Sequence, residues 1–242
     1  MIPLFFLILS LAILFLIAYH LKINLYRLFY RLTKNHPLSI RLLALILLPG
    51  TIIHEGSHLI ATLALNVPTG QITIFPEISR EDTDSTKLGS LKMAQTDPFR
   101  HTIIGLAPFF FGIISITSIF LLYFNLNLKS PGLDHFIGNL QLSFQNNPAG
   151  FIFFSYLLFS VSNSMFSSAQ DLVAAGLPFL STLVLAITLF LIKDVFSLPP
   201  TLLLQLKNLL NVLVITFLLT IILDTFCLLL TIFLKKFLPL PT

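Results

Sequence analysis

The sequence predicts an all-α integral membrane bundle of about six transmembrane helices, with a small β-hairpin at the membrane face. Three observations carry that expectation. The 242-residue chain is 56% hydrophobic and only 10% charged, where soluble domains are about 25% charged. Several apolar runs reach the roughly 18–20 residues needed to cross about 30 Å of hydrocarbon. Residues 66–100 interrupt this pattern with a polar, acid-bearing segment that contains an alternating stretch. A mean hydropathy of +0.94 agrees. The net charge of +4 is spread over loops, so the lipid bilayer, and not nucleic acid, is the expected partner. The single cysteine, Cys227, lies in an apolar run. Neither a disulfide framework nor a cysteine metal cluster can be built from it, and packing is its expected role.

Residues 2–19 form the first span. They lack a basic leading region and a small-residue cleavage site, so they read as a retained anchor and not as a signal peptide. Within 21–34, Arg27, Arg31 and Lys34 recur at helical spacing on one face, and Leu25, Leu28 or Phe29, and Leu32 on another. With Tyr26 and Tyr30 as anchors, this predicts an interfacial amphipathic helix suited to anionic lipids, ended by Pro37. The second span covers 38–65, and Pro49-Gly50 predicts a kink or break inside it. In the polar segment, Gln71-Ile72-Thr73-Ile74-Phe75 alternates as a strand does, and residues 88–93 can pair with it across a polar turn at 79–86. An open edge of that hairpin could take up an extended peptide by strand addition.

Residues 101–124 form the third span, opened by Asp97-Pro98-Phe99-Arg100, with Gly105, Pro108 and Gly112 where helices can approach closely. His101 reads as interfacial. A loop over 125–150 and a short fourth span over 151–162 precede the polar interruption at 163–171. A fifth span covers 174–193. After the turn at Leu198-Pro199-Pro200, a long sixth span over 202–234 contains Asp224 and ends in Lys235-Lys236. The chain therefore divides into an anchor and interfacial helix (1–37), a core (38–196) and a C-terminal transmembrane helix (197–242).

The chemistry concentrates in the second span, at His54-Glu55-Gly56-Ser57-His58. Residues i and i+4 share a helix face, so His54 and His58 can offer imidazoles to one point, as a zinc ion requires. In such an H-E-x-x-H pattern Glu55 is the general base acting on water. A carboxylate in a membrane segment costs roughly 2.5–3.5 kcal/mol on insertion scales, so its presence points to function. A catalytic zinc takes a third protein ligand. The acids near the membrane are Asp171 and Asp224, and Asp171, following a polar break at a helix start, is the favoured one. Asp224, mid-span near Thr220 and Thr225, is the runner-up, as a metal ligand or as a hydrogen-bonding partner near the site. Asn163 could donate to a developing oxyanion or to substrate, or make an interhelical hydrogen bond.

The run Leu48-Pro49-Gly50-Thr51-Ile52-Ile53-His54-Glu55-Gly56-Ser57-His58 resembles the first catalytic helix of the site-2-protease family of intramembrane zinc metalloproteases. The strand-bearing segment after it, and then Arg100-His101-Thr102-Ile103-Ile104-Gly105-Leu106-Ala107-Pro108, are similar to that family's next elements. The resemblance implies a Zn²⁺ cofactor and a membrane-protein substrate helix as partner. It also implies a third ligand from a later Asp preceded by an Asn, which Asn163 and Asp171 match in order. The family's common bacterial form reads Asn-x-x-Pro-x-x-x-x-Asp-Gly. This chain instead has Phe166 and Ser167 in the proline region and Leu172 after the acid. Without an inserted PDZ-like domain the chain would be a minimal core member, multi-pass in a prokaryotic plasma membrane. With six spans both chain ends share a face. The distribution of Lys and Arg weakly places them outside, whereas the resemblance places them inside. Two other readings are an inactive receptor or scaffold of the same fold, and a metal transporter using His54, His58 and Asp224.

Overall fold

The computed structural model describes residues 2–76, 88–94, 96–126, 133–166 and 199–238. These form mostly helix with one small antiparallel sheet: α1 (Ile2–Thr33), α2 (His36–Ile46), α3 (Leu48–Ala64), β1 (Thr69–Thr73), β2 (Ser90–Met93), α4 (Pro98–Leu122), α5 (Leu133–Asn146), α6 (Pro148–Ser164) and α7 (Pro200–Lys236). Three helices are long and apolar enough to cross a membrane, over Leu4–Thr33, Pro98–Leu122 and Thr201–Lys236. The bent pair α2 and α3 makes a fourth if it is one span. Six spans are not found among the described residues. At 17 residues, α6 reaches only about 25 Å at about 1.5 Å per residue, short of a full crossing. The expected fifth span over 174–193 lies outside the described residues.

Helix α1 runs unbroken through the expected boundary near residue 20. The predicted amphipathic helix is its last turns. Leu21, Leu25 and Leu28 are buried, Lys22 Nζ donates to the Phe166 carbonyl at 3.2 Å, and Arg31 donates to the Lys235 carbonyl at 2.6 Å. Part of the basic face thus meets protein, while Arg27 and Lys34 stay exposed. Pro37 does not end this helix. The chain turns at Lys34, whose φ of 52° is left-handed, and Asn35 caps α2 by accepting from the Leu38 N–H at 3.1 Å. Pro37 then sits in the first turn of α2, where a missing N–H is no loss.

The expected break in the second span is present: α2 and α3 meet at 77°. It falls at Leu47, two residues before Pro49, because Pro49 is accommodated within the first turn of α3. The Gly50 N–H, one of the orphan donors of that turn, donates to Ser160 Oγ at 2.9 Å. Gly50 is required there. A Cβ would fall 2.1 Å from the Ser160 carbonyl oxygen, so α3 and α6 are in backbone contact.

The hairpin forms with Ile72 opposite Leu91 and Thr73 opposite Ser90, and with an irregularity between Thr69 and Ile72. Its strands are shifted from the expected 71–75 and 88–93, because Leu88 leaves the strand to be buried beside Leu47, Leu43 and Phe159. Residues 125–150, expected as a loop, contain α5. Phe136, Ile137, Leu140 and Phe144 recur at helical spacing, and Phe136 is buried against Phe120.

Helices α1 and α7 run side by side in the same direction. Leu14 shares a buried cluster with Val212 and Phe217, Leu21 and Leu25 pack near Leu223 and Leu228, and Arg31 reaches Lys235. Their starts lie at one face and their ends at the other. With both helices taken as membrane spans, the start of α1 and the end of α7 fall on opposite faces, which differs from the shared face expected with six spans.

Candidate metal centre

Helix α3 presents His54, Glu55 and His58 as the sequence predicts. His54 and Glu55 are buried and His58 is half-buried. The two imidazole centroids are 4.9 Å apart with the rings nearly perpendicular, at 83°, which is one helical turn between side chains on one face. Each polar side chain in a membrane segment avoids lipid by facing the bundle. The outward positions of the same helix, Ile52, Ile60 and Leu63, are exposed and apolar.

Nδ1 of His58 lies 2.9 Å from the carbonyl oxygen of Ile104 on α4. A carbonyl only accepts, so this nitrogen carries the proton, and in the neutral imidazole Nε2 then keeps the lone pair. That is the state in which a histidine binds a metal. Ser57 Oγ donates to the His54 carbonyl at 2.6 Å, back along the same helix.

Glu55 is covered by Gly89, the residue just before β2. A Cβ at Gly89 would fall 2.9 Å from both Cγ and Oε1 of Glu55 and 3.0 Å from the Thr73 carbonyl oxygen. The hairpin therefore closes over the carboxylate by direct backbone approach, and a side chain at Gly89 would require Glu55 or the hairpin to shift. The buried Leu88 next to it pins this contact in place.

Asn163 and Asp224 belong to a second buried group. Ser162 Oγ donates to Asp224 Oδ2 at 2.8 Å, joining α6 to α7. Asn163 Nδ2 donates to the Phe159 carbonyl at 2.8 Å and to Ser162 Oγ at 3.3 Å. The donor group of Asn163 is thus engaged within α6, and its Oδ1, like Asp224 Oδ1 and Ser164 Oγ, has no hydrogen-bond partner among the described residues. This group adjoins α3 through Ser160 and Ser164 at Gly50, one turn before His54.

Among the described residues, no set of three or more His, Cys, Asp or Glu side chains gathers at metal-binding spacing. Asp171, the favoured third ligand, lies outside the described residues. The donor set that is described fits zinc: two imidazoles on one face, one of them with its tautomer held by a backbone carbonyl. Comparison with protein-family models, with curated proteins and with solved structures finds no match to this chain.

Sequence reasoning missed Gly89, Ile104 and Ser162. Gly89 carries no signal of its own, since its reason is a contact made through the hairpin fold. Ile104 was findable, because it sits four residues before Pro108 inside a helix.

Proposed function

We propose that this chain is a zinc-dependent intramembrane metalloendopeptidase that hydrolyses a peptide bond in or near a transmembrane segment of a membrane protein. The observation that carries this reading is the trio on α3: two imidazoles 4.9 Å apart, one buried and one half-buried, with a buried carboxylate between them in sequence, inside an apolar bundle. Its resemblance to the catalytic helix of the site-2-protease family supports the same assignment.

His54 and His58 would hold the metal, with Asp171 as the proposed third ligand and Asp224 as a contact between helices. Zinc held there supplies Lewis-acid polarisation of the scissile carbonyl and acidifies water. Glu55 takes a proton from the attacking water and returns it to the leaving amine. Burial by α3 and by Gly89 of the hairpin holds that carboxylate in place and limits its access to bulk solvent. A substrate helix has to be unwound before its amide can react, because helical amides are internally hydrogen-bonded. The hairpin, with exposed Ile72 and Met93 beside the site, offers an edge against which an extended segment can be held.

The test is Glu55→Gln in purified protein reconstituted with a panel of single-span peptides. Wild type yields cleaved products by mass spectrometry, and the variant yields none while retaining its zinc. Cleavage by the variant would remove Glu55 from the chemistry.

A further inference from the structure

We propose that Pro108 tunes the metal affinity of the histidine pair, by leaving the Ile104 carbonyl free to hold His58 in its metal-binding tautomer. The inference rests on the metalloprotease reading and adds to it a positioning residue on a different helix.

Inside an α-helix the carbonyl of residue i accepts from the N–H of residue i+4. For Ile104 that residue is Pro108, which lies in the interior of α4 and has no N–H. Ile104 is 1% exposed, so water is excluded from its surroundings. A buried carbonyl left without a donor forfeits the hydrogen bond it had with water, so burial there favours a replacement donor. The Nδ1–H of His58, 2.9 Å away, supplies that donor. The requirement is mutual. The carbonyl needs a donor that its own helix cannot give, and the imidazole needs an acceptor at Nδ1 so that Nε2 is left as the ligand nitrogen. A proline placed elsewhere in α4 would free another carbonyl and not this one. Ala107 and Pro108 are both buried, so this turn of α4 is packed where its carbonyl can serve.

Pro108→Ala and Pro108→Gly differ in helix propensity and stiffness, while both restore the N–H and both remove the ring. In both, the Ile104 carbonyl regains its helical donor and competes with His58. Zinc affinity, read by competition against a chromogenic chelator, should fall about 10–100-fold in each variant, the loss typical for removing the outer partner of a ligating histidine. Apo wild-type protein labelled with ¹⁵N-histidine should show His58 as the Nδ1–H tautomer, assigned by comparison with His58→Gln. Affinity unchanged in both variants would overturn the proposal, as would an Nε2–H tautomer in the wild type. Where neither variant folds, an Nε2–H spectrum still overturns the proposal. Wild type that binds no zinc at all would overturn the metalloprotease reading together with this one. Wild-type binding with unaltered variants would overturn the role of Pro108 alone.

Discussion

Gly89 shows how much a single position decides. It stands at the foot of β2 with its Cα against Glu55, and the space for a side chain is already filled by the carboxylate and the Thr73 carbonyl. Alanine there has to push Glu55 or lift the hairpin. Since a displacement near 1 Å at a catalytic group can lower the rate about 100-fold, Gly89→Ala should reduce peptide turnover by about that factor with zinc content unchanged. The measurement pairs cleavage rates with metal analysis. A variant with normal turnover would show that the hairpin does not constrain Glu55. At this scale His54, Glu55 and His58 were legible in the sequence because their relation is local, one turn of one helix. Gly89 was not, because its partner is far away in the chain. Ile104 stood between the two, marked only by a proline four residues later.

The elements that hold the site depend on close backbone approaches. Gly50 brings α3 against α6, and Gly112 brings α4 against Met165, the residue that caps α6, where a Cβ would fall 2.7 Å from Met165 Cβ. At Gly50 the obstacle is the Ser160 carbonyl, a backbone atom that cannot rotate away. Gly50→Ala should therefore destabilise the protein by about 1–3 kcal/mol, the usual range for overpacking, seen as a lower melting temperature. An unchanged melting temperature would mean that the two helices are not in contact at Gly50. Pro49-Gly50 announced a break in the sequence, and the 77° bend is there. Its position at Leu47 was not announced, since proline fits the first turn of a helix as readily as it ends one. Helix α5 was hidden for a different reason. Its low charge matched a loop, and its apolar period pointed to packing against Phe120 that only the fold reveals.

Across the whole molecule, the parallel pairing of α1 and α7 sets the topology. Arg31 on the Lys235 carbonyl, and Lys235 on Asn24, bring the ends of the two helices together. Reporters fused before residue 1 and after residue 242 should therefore lie on opposite sides of the membrane. Reporters in the same compartment would contradict the pairing. Hydropathy revealed the class of protein plainly, since three helices are long and apolar enough to cross a membrane. It did not reveal the number of crossings or their direction. Those follow from which helices lie side by side, and a run of leucines does not say which face meets which neighbour.

Metal content is the most direct test of the central claim, that one buried turn of α3 was given two imidazoles and an acid in order to hold zinc and act on water. Purified protein, loaded with zinc and then desalted, should retain about one zinc per chain by mass spectrometry. His58→Ala and Asp171→Ala should retain little or none, and Asp224→Asn should retain as much as wild type. Wild type that binds no zinc would contradict the account, and Asp171→Ala that binds it normally would remove Asp171 from the site.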